Sequence, residues 1–500
     1  MTKNIIITLM QKNTNPFYIT TTLPYVNSDL HIGHAMELVR ADTMARAAKL
    51  MGREVFFNTG SDEHGIKIFQ KATERGITAQ EHVDEYSARF KSLLPKLHIS
   101  PDVNFIRTTD KHHIKAAQEF WKQCAANGYI YKKKYSGLYC KGCEMFVTEK
   151  DLVDGGCPHH PGQDLEAIEE ENYFFKYSDF QKKLLELYHN NPTFVVPESR
   201  QKEITAFVKQ GLEDFSISRL VEKMPWGIPV PDDDEHVMYV WFDALINYVA
   251  AIGWPDDMKT YEKFTTEGML QICGKDNLQQ QAARWQAMLM SVGLKTSQRI
   301  LVNGFINSGG QKMSKSVGNV INPQDIIEEY GAEALRYYLL AELSQFEDGD
   351  FTMDAFHGAY TAHLVNGIGN LTNRVLKMAE SNLDEKVVLA TDEEIKDYIQ
   401  SSDVMRLLFQ DSLTIKLAAE NIFKKISDLD QVIQEKEPFK LVKNEDTKGE
   451  GVSIITELVQ ELYKITHLLE PFLPETSKFV IAAIREQKKP EEPLFARVER

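Results

Sequence analysis

The sequence predicts an α/β fold: a parallel sheet, interrupted by a small cysteine-bearing insertion and followed by a long all-helical region. Three observations predict it. A strand–helix–strand pattern opens the chain between Phe17 and Asn58. Three of the five cysteines fall at Cys140, Cys143 and Cys157, inside a turn-rich stretch. From about Pro323 onward, apolar residues recur at helical spacing.

The elements follow in order. Phe17–Thr22 is aromatic and β-branched, a buried strand. Leu23–Asp29 breaks it with proline, asparagine and aspartate. Ile32, Ala35, Met36, Val39, Met44, Ala47 and Leu50 then lie on one face of a helix, and Gly52 stands where a helix-ending glycine belongs. A second strand is expected at Glu54–Asn58, with a loop over Thr59–Gly65. Such a βαβ unit requires a parallel sheet. Tyr129–Pro197, rich in Tyr, Phe, turns and cysteine, reads as an inserted small domain. Parallel-sheet character is expected to return at Val237–Trp241, Met269–Cys273 and Arg299–Ile306. Leu364–Ser381 and Val404–Ile433 read as long amphipathic helices, and Lys443–Gly451 as an exposed loop between helices.

The chain has 500 residues, enough for about three or four domains. Its 57 Lys+Arg against 73 Asp+Glu give a net charge of −16, unlike the basic balance of a nonspecific nucleic-acid coat. The N-terminal apolar run Ile5–Met10 is far short of the ~20 residues of a membrane span and lacks a cleavage region. No membrane partner is expected. Clustered cysteines, odd in number and without an export signal, point to a reducing compartment and a metal site, with the cytoplasm as the expected address.

Two phosphate motifs are excluded. Gly60–Lys67 resembles a Walker loop but has Ile66 where lysine is required, and Gly367-Ile368-Gly369 lacks the third glycine of a dinucleotide fingerprint. A different anion site is expected at His31-Ile32-Gly33-His34. Two imidazoles three residues apart share the first turn of a helix, whose N-terminus already attracts phosphate. Gly33 leaves room for a flat adenine or ribose. Lys312-Met313-Ser314-Lys315-Ser316 follows the loop Asn307–Gln311, and Gly309, Gly310 and Gly318 around it suggest mobility. Two lysines three apart can close on a triphosphate and offset charge developing on a leaving pyrophosphate. Cys140-x-x-Cys143 and, fourteen residues on, Cys157-Pro158-His159-His160 have the spacing of a zinc knuckle.

Together, the two motifs resemble the paired signatures of class I aminoacyl-tRNA synthetases. The surrounding text is similar to the methionyl-tRNA synthetases: Thr22–Asn27, Gly60–Gly65, Val240–Ala244, Gly274-Lys275-Asp276 and Pro323–Leu339. The resemblance implies a Rossmann-like catalytic domain in two halves, 15–115 and 231–325. A connective insertion at 116–230 would carry the zinc knuckle at about 135–175. A linking region at 326–365 and a helical anticodon-binding domain at 366–500 would complete the chain. The implied substrates are ATP, L-methionine and tRNA(Met), with Mg²⁺ accompanying ATP and Zn²⁺ in a structural role.

The resemblance also implies site residues. His31, His34, Lys312 and Lys315 would be catalytic, and Gly33, Gly274, Asp276 and Ser314 would complete the ATP site. Leu23, Tyr25, Asp62, Trp241, Tyr248, Gln281 and Trp285 would hold methionine, Asp62 through the substrate ammonium. Many family members carry histidine at the position of Gln281 and proline at that of Leu245. The metal ligands would be Cys140, Cys143, Cys157 and His160, with His159 as the alternative fourth. Asn370, Arg374 and Phe439 would read the anticodon, the phenylalanine replacing a more usual tryptophan. No cysteine precedes Cys124, unlike in the cysteinyl enzymes, and the Gly65–Val240 stretch is too short for a large editing insertion. With no appended dimerisation module in view, a monomer is the expected state. A modest positive strip linking the lysine loop, Arg374 and Phe439 is expected on the acidic body.

Overall fold

The computed structural model describes residues 14–140, 145–147, 152–153, 155–158, 164–313, 318–410 and 413–499. The opening unit is β1 (Phe17–Thr20), α1 (Ile32–Leu50) and β2 (Val55–Ser61), followed by β3 (Asn104–Arg107) and α2 (Lys111–Ala126). Gly52 has φ +83°, the left-handed geometry that ends α1. The insertion carries the long strands β4 (Ile130–Cys140) and β5 (Glu166–Phe175), paired antiparallel, and the short β6 (Val195–Val196). β7 (Asp233–Met238) and helix α3 (Val240–Leu245) lead back to β8 (Met269–Gly274), helix α4 (Trp285–Ser291) and β9 (Arg299–Asn303).

Strands β3-β2-β1-β8-β9-β6 form one six-stranded sheet in that order, every neighbouring pair parallel. The order reverses between β1 and β8, and in open parallel sheets that switch point is where ligands bind. Both sheet faces are covered. Ile19, Phe57, Ile272 and Leu301 point into a core shared with α1 and the C-terminal helices. Tyr18, Ile106, Met269 and Val302 point into an aromatic core with Phe120, Phe242 and Trp285. This two-sided burial is the reason the strands read as continuous apolar runs.

Beyond β9, strand β10 (Ile306–Ser308) pairs antiparallel with β11 (Gln311–Lys312) and parallel with β12 (Gly349–Phe351); helix α5 (Ala332–Tyr337) lies between β11 and β12. The rest is helical. The main pieces are α6 (Asn370–Asn382), α7 (Asp403–Phe409), α8 (Ile415–Lys436), α9 (Lys448–Leu469) and α10 (Pro474–Glu486). No helix among the described residues is long and apolar enough to cross a membrane.

Four local expectations are corrected. Val237–Trp241 is no parallel strand: β7 pairs antiparallel with Ser218–Leu220, and Val240 already begins α3. Arg299–Ile306 divides between β9 and β10, which lie in different sheets. Val404–Ile433 is two helices, separated near Leu413, whose φ of +53° no helix accommodates. The Lys443–Gly451 segment is in part helical, because α9 starts at Lys448.

Candidate functional site

Helix α1 starts at the switch point, and its two histidines cap it. The backbone N–H of Gly33 donates to His31 Nδ1 at 3.1 Å, and the N–H of His31 donates to His34 Nδ1 at 3.2 Å. This is a capping box built from imidazoles in place of the usual hydroxyl and carboxylate. With both Nδ1 atoms used as acceptors, the neutral rings carry their hydrogen on Nε2 and remain donors there. The rings lie 3.9 Å apart. Burial, aided by the neighbouring His31, pushes the His34 pKa down to about 3, so this imidazole is uncharged at neutral pH. A Cβ on Gly33 would come within 2.9 Å of the His31 ring. The glycine therefore admits the capping histidine itself, a reason separate from room for a nucleotide.

One turn further along α1 stands Glu37, which sequence reasoning missed. The N–H and the hydroxyl of Thr22 both donate to Glu37 Oε1 at 2.6 Å. Burial, only partly offset by those two bonds, pushes its pKa up to about 8. The signal was present: His31, His34 and Glu37 recur every three residues on one helical face. Thr22, His34, Glu37, Thr59 and Gly60 line a common cleft.

Gly60, which lines this cleft, opens the segment Gly60–Gly65. Strand β2 runs on through Thr59, Gly60 and Ser61, where a loop was expected, because those residues pair with Phe105, Ile106 and Arg107 of β3. Gly60 permits this pairing, since a Cβ there would sit 1.8 Å from the Ile106 carbonyl oxygen. The backbones of Tyr25 and Asp62 then join: Asp62 N–H donates to Pro24 O at 3.0 Å, and Val26 N–H to Asp62 O at 3.1 Å. Asp62 is buried, 8% exposed.

The following side chains lock the turn. Arg107 forks onto the Glu63 carboxylate through Nε and Nη2 at 2.7 and 2.9 Å. Trp226 Nε1 donates to Glu63 O at 2.6 Å. His64 Nδ1 lies 3.2 Å from Asp243 Oδ2, while His113 Nε2 stands 3.5 Å from the other Asp243 oxygen. All three of these side chains are buried. Burial opposes charge on Asp243, but the two imidazoles outweigh it and hold its pKa below the usual carboxylate range.

On the other face of the sheet, the second half of the chain contributes an aromatic core. Tyr248 and Trp285 are buried with ring centroids 5.7 Å apart, and Leu23 and Leu245 belong to the same core. Gln281 Nε2 donates to the Tyr248 hydroxyl at 2.8 Å, from a π-helical turn over Gln280–Arg284. Trp241 is half-buried at the start of α3, its ring 5.6 Å from the Arg284 guanidinium. Gly274 ends β8, and Asp276 follows; a Cβ on Gly274 would meet Asp276 Oδ1 at 2.7 Å.

The lysine segment begins as a hairpin. Gly309 and Gly310, with φ of +60° and +75°, join β10 to β11 in a tight two-residue turn, where glycines are required by backbone geometry. The backbone of Lys312 lies in β11. Ser314 and Lys315 fall outside the described residues.

For the metal cluster, Cys140 at the end of β4 and Cys157 are buried in one small cluster with Leu152 and Leu165 beside them. Cys143, His159 and His160 lie outside the described residues. Among the described residues, no group of three or more histidine, cysteine or acidic side chains is placed to hold a metal. In the helical region Asn370 is exposed on α6. Arg374, one turn on, is ion-paired with Asp430 of α8. Phe439 is 37% exposed on the short helix Pro438–Leu441.

Comparison with known proteins agrees with this architecture. The family model for tRNA synthetases class I (M) matches residues 17–167 and 160–376. A methionine–tRNA ligase of Brucella suis biovar 1 is 40% identical over 471 residues, covering 92% of this chain and 90% of that protein. One from Fusobacterium nucleatum is 39% identical over 480 residues, covering 94% and 74%. The structure of Mycobacterium tuberculosis methionyl-tRNA synthetase in complex with methionyl-adenylate superposes with a TM-score of 0.85, at 35% identity and covering 93% of each chain. From this similarity, carried over nearly the whole length, the chain belongs to the methionine–tRNA ligase family of class I aminoacyl-tRNA synthetases.

Proposed function

We propose that this protein activates L-methionine with ATP, giving methionyl-adenylate and pyrophosphate, and transfers the methionyl group to the 3′ end of tRNA(Met). The observation that carries the reading is the meeting, at the sheet's switch point, of the imidazole-capped helix with the Tyr25–Asp62 bridge. The methionine carboxylate attacks the α-phosphorus in line and pyrophosphate departs. Alignment and charge stabilisation do most of the work. His31 and His34 offer Nε2–H donors to the triphosphate, with Gly33 at the same helix start. Gly274 and Asp276 border the adenosine. Lys312, Ser314 and Lys315 hold the departing pyrophosphate. Asp62 takes the substrate ammonium, while Leu23, Tyr25, Trp241, Tyr248, Gln281 and Trp285 surround its side chain. Mg²⁺ accompanies ATP, bound mainly through phosphate oxygens.

The two buried thiols of Cys140 and Cys157 suit a soft metal such as zinc. With Cys143 and His160 they would complete a closed, structural Zn²⁺ site. The domain limits follow those of the sequence: catalytic halves at 15–115 and 231–325, the insertion at 116–230, the link at 326–365, and the anticodon reader at 366–500. The enzyme works as a monomer in the cytoplasm. Asn370, Arg374 and Phe439 read the anticodon, so Arg374 exchanges Asp430 for RNA on binding.

The testing experiment is charging of tRNA(Met) with labelled methionine. Arg374→Ala and Phe439→Ala are expected to reduce charging by about 10-fold or more, the scale of losing one stacked base or one ionic contact. Methionine-dependent ATP–pyrophosphate exchange is expected to stay within about twofold of the parent. Equal loss in both assays would contradict the anticodon assignment.

A further inference from the structure

Behind the methionine pocket runs a closed chain of hydrogen bonds whose direction can be worked out atom by atom. Its members, Gln286, Ser297, Gln271, Gln281 and Tyr248, are all buried, none more than 5% exposed. The chain is anchored on two backbone groups. The N–H of Ser297 can only donate, and it donates to Gln286 Oε1 at 2.9 Å. The carbonyl of Gln281 can only accept, and it accepts from Gln286 Nε2 at 2.7 Å. These two bonds fix the Gln286 amide in one orientation.

The rest follows. Gln286 Nε2 also donates to Ser297 Oγ at 2.9 Å. That hydroxyl therefore turns its own hydrogen to Gln271 Oε1, 2.5 Å away, a separation natural to O–H···O and short for N–H···O. With its oxygen facing Ser297, Gln271 presents Nε2 to Gln281 Oε1 at 2.7 Å. Gln281 in turn presents Nε2 to the Tyr248 oxygen at 2.8 Å. The phenol is the acceptor of the last bond, so its hydrogen is left to donate elsewhere. A reversed chain would strand the serine hydrogen in a buried site, an expensive arrangement.

The geometry points to Gln286, Ser297 and Gln271 as positioning residues. By holding Gln281 as a donor to Tyr248, they make the phenol a hydrogen-bond donor toward a substrate side chain that can accept, and so favour a thioether over a methylene. This rests on the methionine-activating function proposed above. A thioether sulfur is a weak acceptor and a methylene is none. The three positioning residues touch the substrate only through Gln281 and Tyr248.

The test uses amino-acid-dependent ATP–pyrophosphate exchange with L-methionine and with L-norleucine, which replaces the sulfur by CH₂. Gln271→Met removes the link with little change of volume, and Ser297→Ala removes the hydroxyl that orients it. Released from Gln271, Gln281 can turn its carbonyl to Tyr248 and take up the phenol hydrogen. The ratio of kcat/KM for methionine to that for norleucine is expected to fall by about 3- to 10-fold, the worth of one neutral hydrogen bond. The loss appears in the methionine KM, with the KM values for norleucine and ATP within about twofold of the parent. The inference is overturned if both variants keep the parent's ratio, or if both amino acids lose activity in proportion, as a merely structural role would produce. Failure of the parent protein to exchange with methionine would instead overturn the functional reading.

Discussion

Glu37 and His34 sit one turn apart on α1, yet burial moves their protonation in opposite senses. Glu37, pushed up to about 8 against about 4.5 in the unfolded chain, keeps its proton where the unfolded state has lost it. Stability from this group is full below about pH 4.5 and is lost as pH rises through 8. Glu37→Gln mimics the protonated form and can still accept from Thr22. It is therefore expected to stabilise the ligand-free protein by an amount growing to about 2–4 kcal/mol between pH 5 and 9. Denaturant unfolding at a series of pH values measures it, and a pH-independent difference would contradict a Glu37 that holds its proton at neutral pH. His34 runs the other way: its pKa is lowered, so its share of stability is lost as pH falls from about 6.5 toward 3. The sequence revealed the histidine pair through spacing alone. It did not reveal that His34 is neutral or that Glu37 shares its cleft, because both depend on water excluded by residues far along the chain.

At the scale of elements, the turn after β2 is held from outside itself. Asp243 joins α3 to the turn through His64 and to α2 through His113. Asp243→Ala is expected to cost about 2–4 kcal/mol, since the buried His64 loses its acceptor and the buried His113 loses the carboxylate 3.5 Å away. Because Asp62 lies two residues from His64, the methionine KM is expected to rise more than the ATP KM; exchange kinetics check this, and a larger rise for ATP would contradict it. The motif Gly60–Gly65 was readable as a unit, but its extension into β2 was not: glycine is poor in strands by propensity, and the Ile106 carbonyl that leaves no room for a Cβ at residue 60 comes from a distant strand. Val237–Trp241 misled for a related reason. A short apolar run is compatible with a buried strand or a helix, and in this chain it is divided between β7 and α3. The break near Leu413 carries no glycine or proline among the described residues around it, so periodicity carried on through it.

For the whole molecule, the decisive contact is a buried ion cluster joining α1 to the helical region. Arg336 of α5 places Nη1 2.9 Å from Asp42 of α1 and donates through Nε and Nη2 to the carbonyls of Phe472 and Pro471 at 2.9 and 3.0 Å. Burial would raise the Asp42 pKa, but Arg336 and Arg46 outweigh it and hold the carboxyl below its ordinary value. Glu333 accepts from the N–H groups of Glu475 and Thr476, capping α10 from another element. Arg336→Leu leaves Asp42 short of a partner and is expected to cost about 3–5 kcal/mol, with the catalytic and helical parts melting in separate transitions by calorimetry. A single unshifted transition would contradict this coupling. Net charge was the weaker guide at this scale. The expected positive strip depends on Arg374, which the free protein neutralises with Asp430. RNA contact there involves a competition between carboxylate and phosphate or base.

Methionine activation at the switch point between β1 and β8 stands or falls on methionine-dependent ATP–pyrophosphate exchange. Labelled pyrophosphate is expected to enter ATP only when methionine is present, and Lys315→Ala is expected to slow this by about 10²–10³ with tRNA binding little changed. A well-folded protein that binds tRNA(Met) but exchanges no pyrophosphate with methionine, or an unchanged rate in Lys315→Ala, would contradict activation at this site.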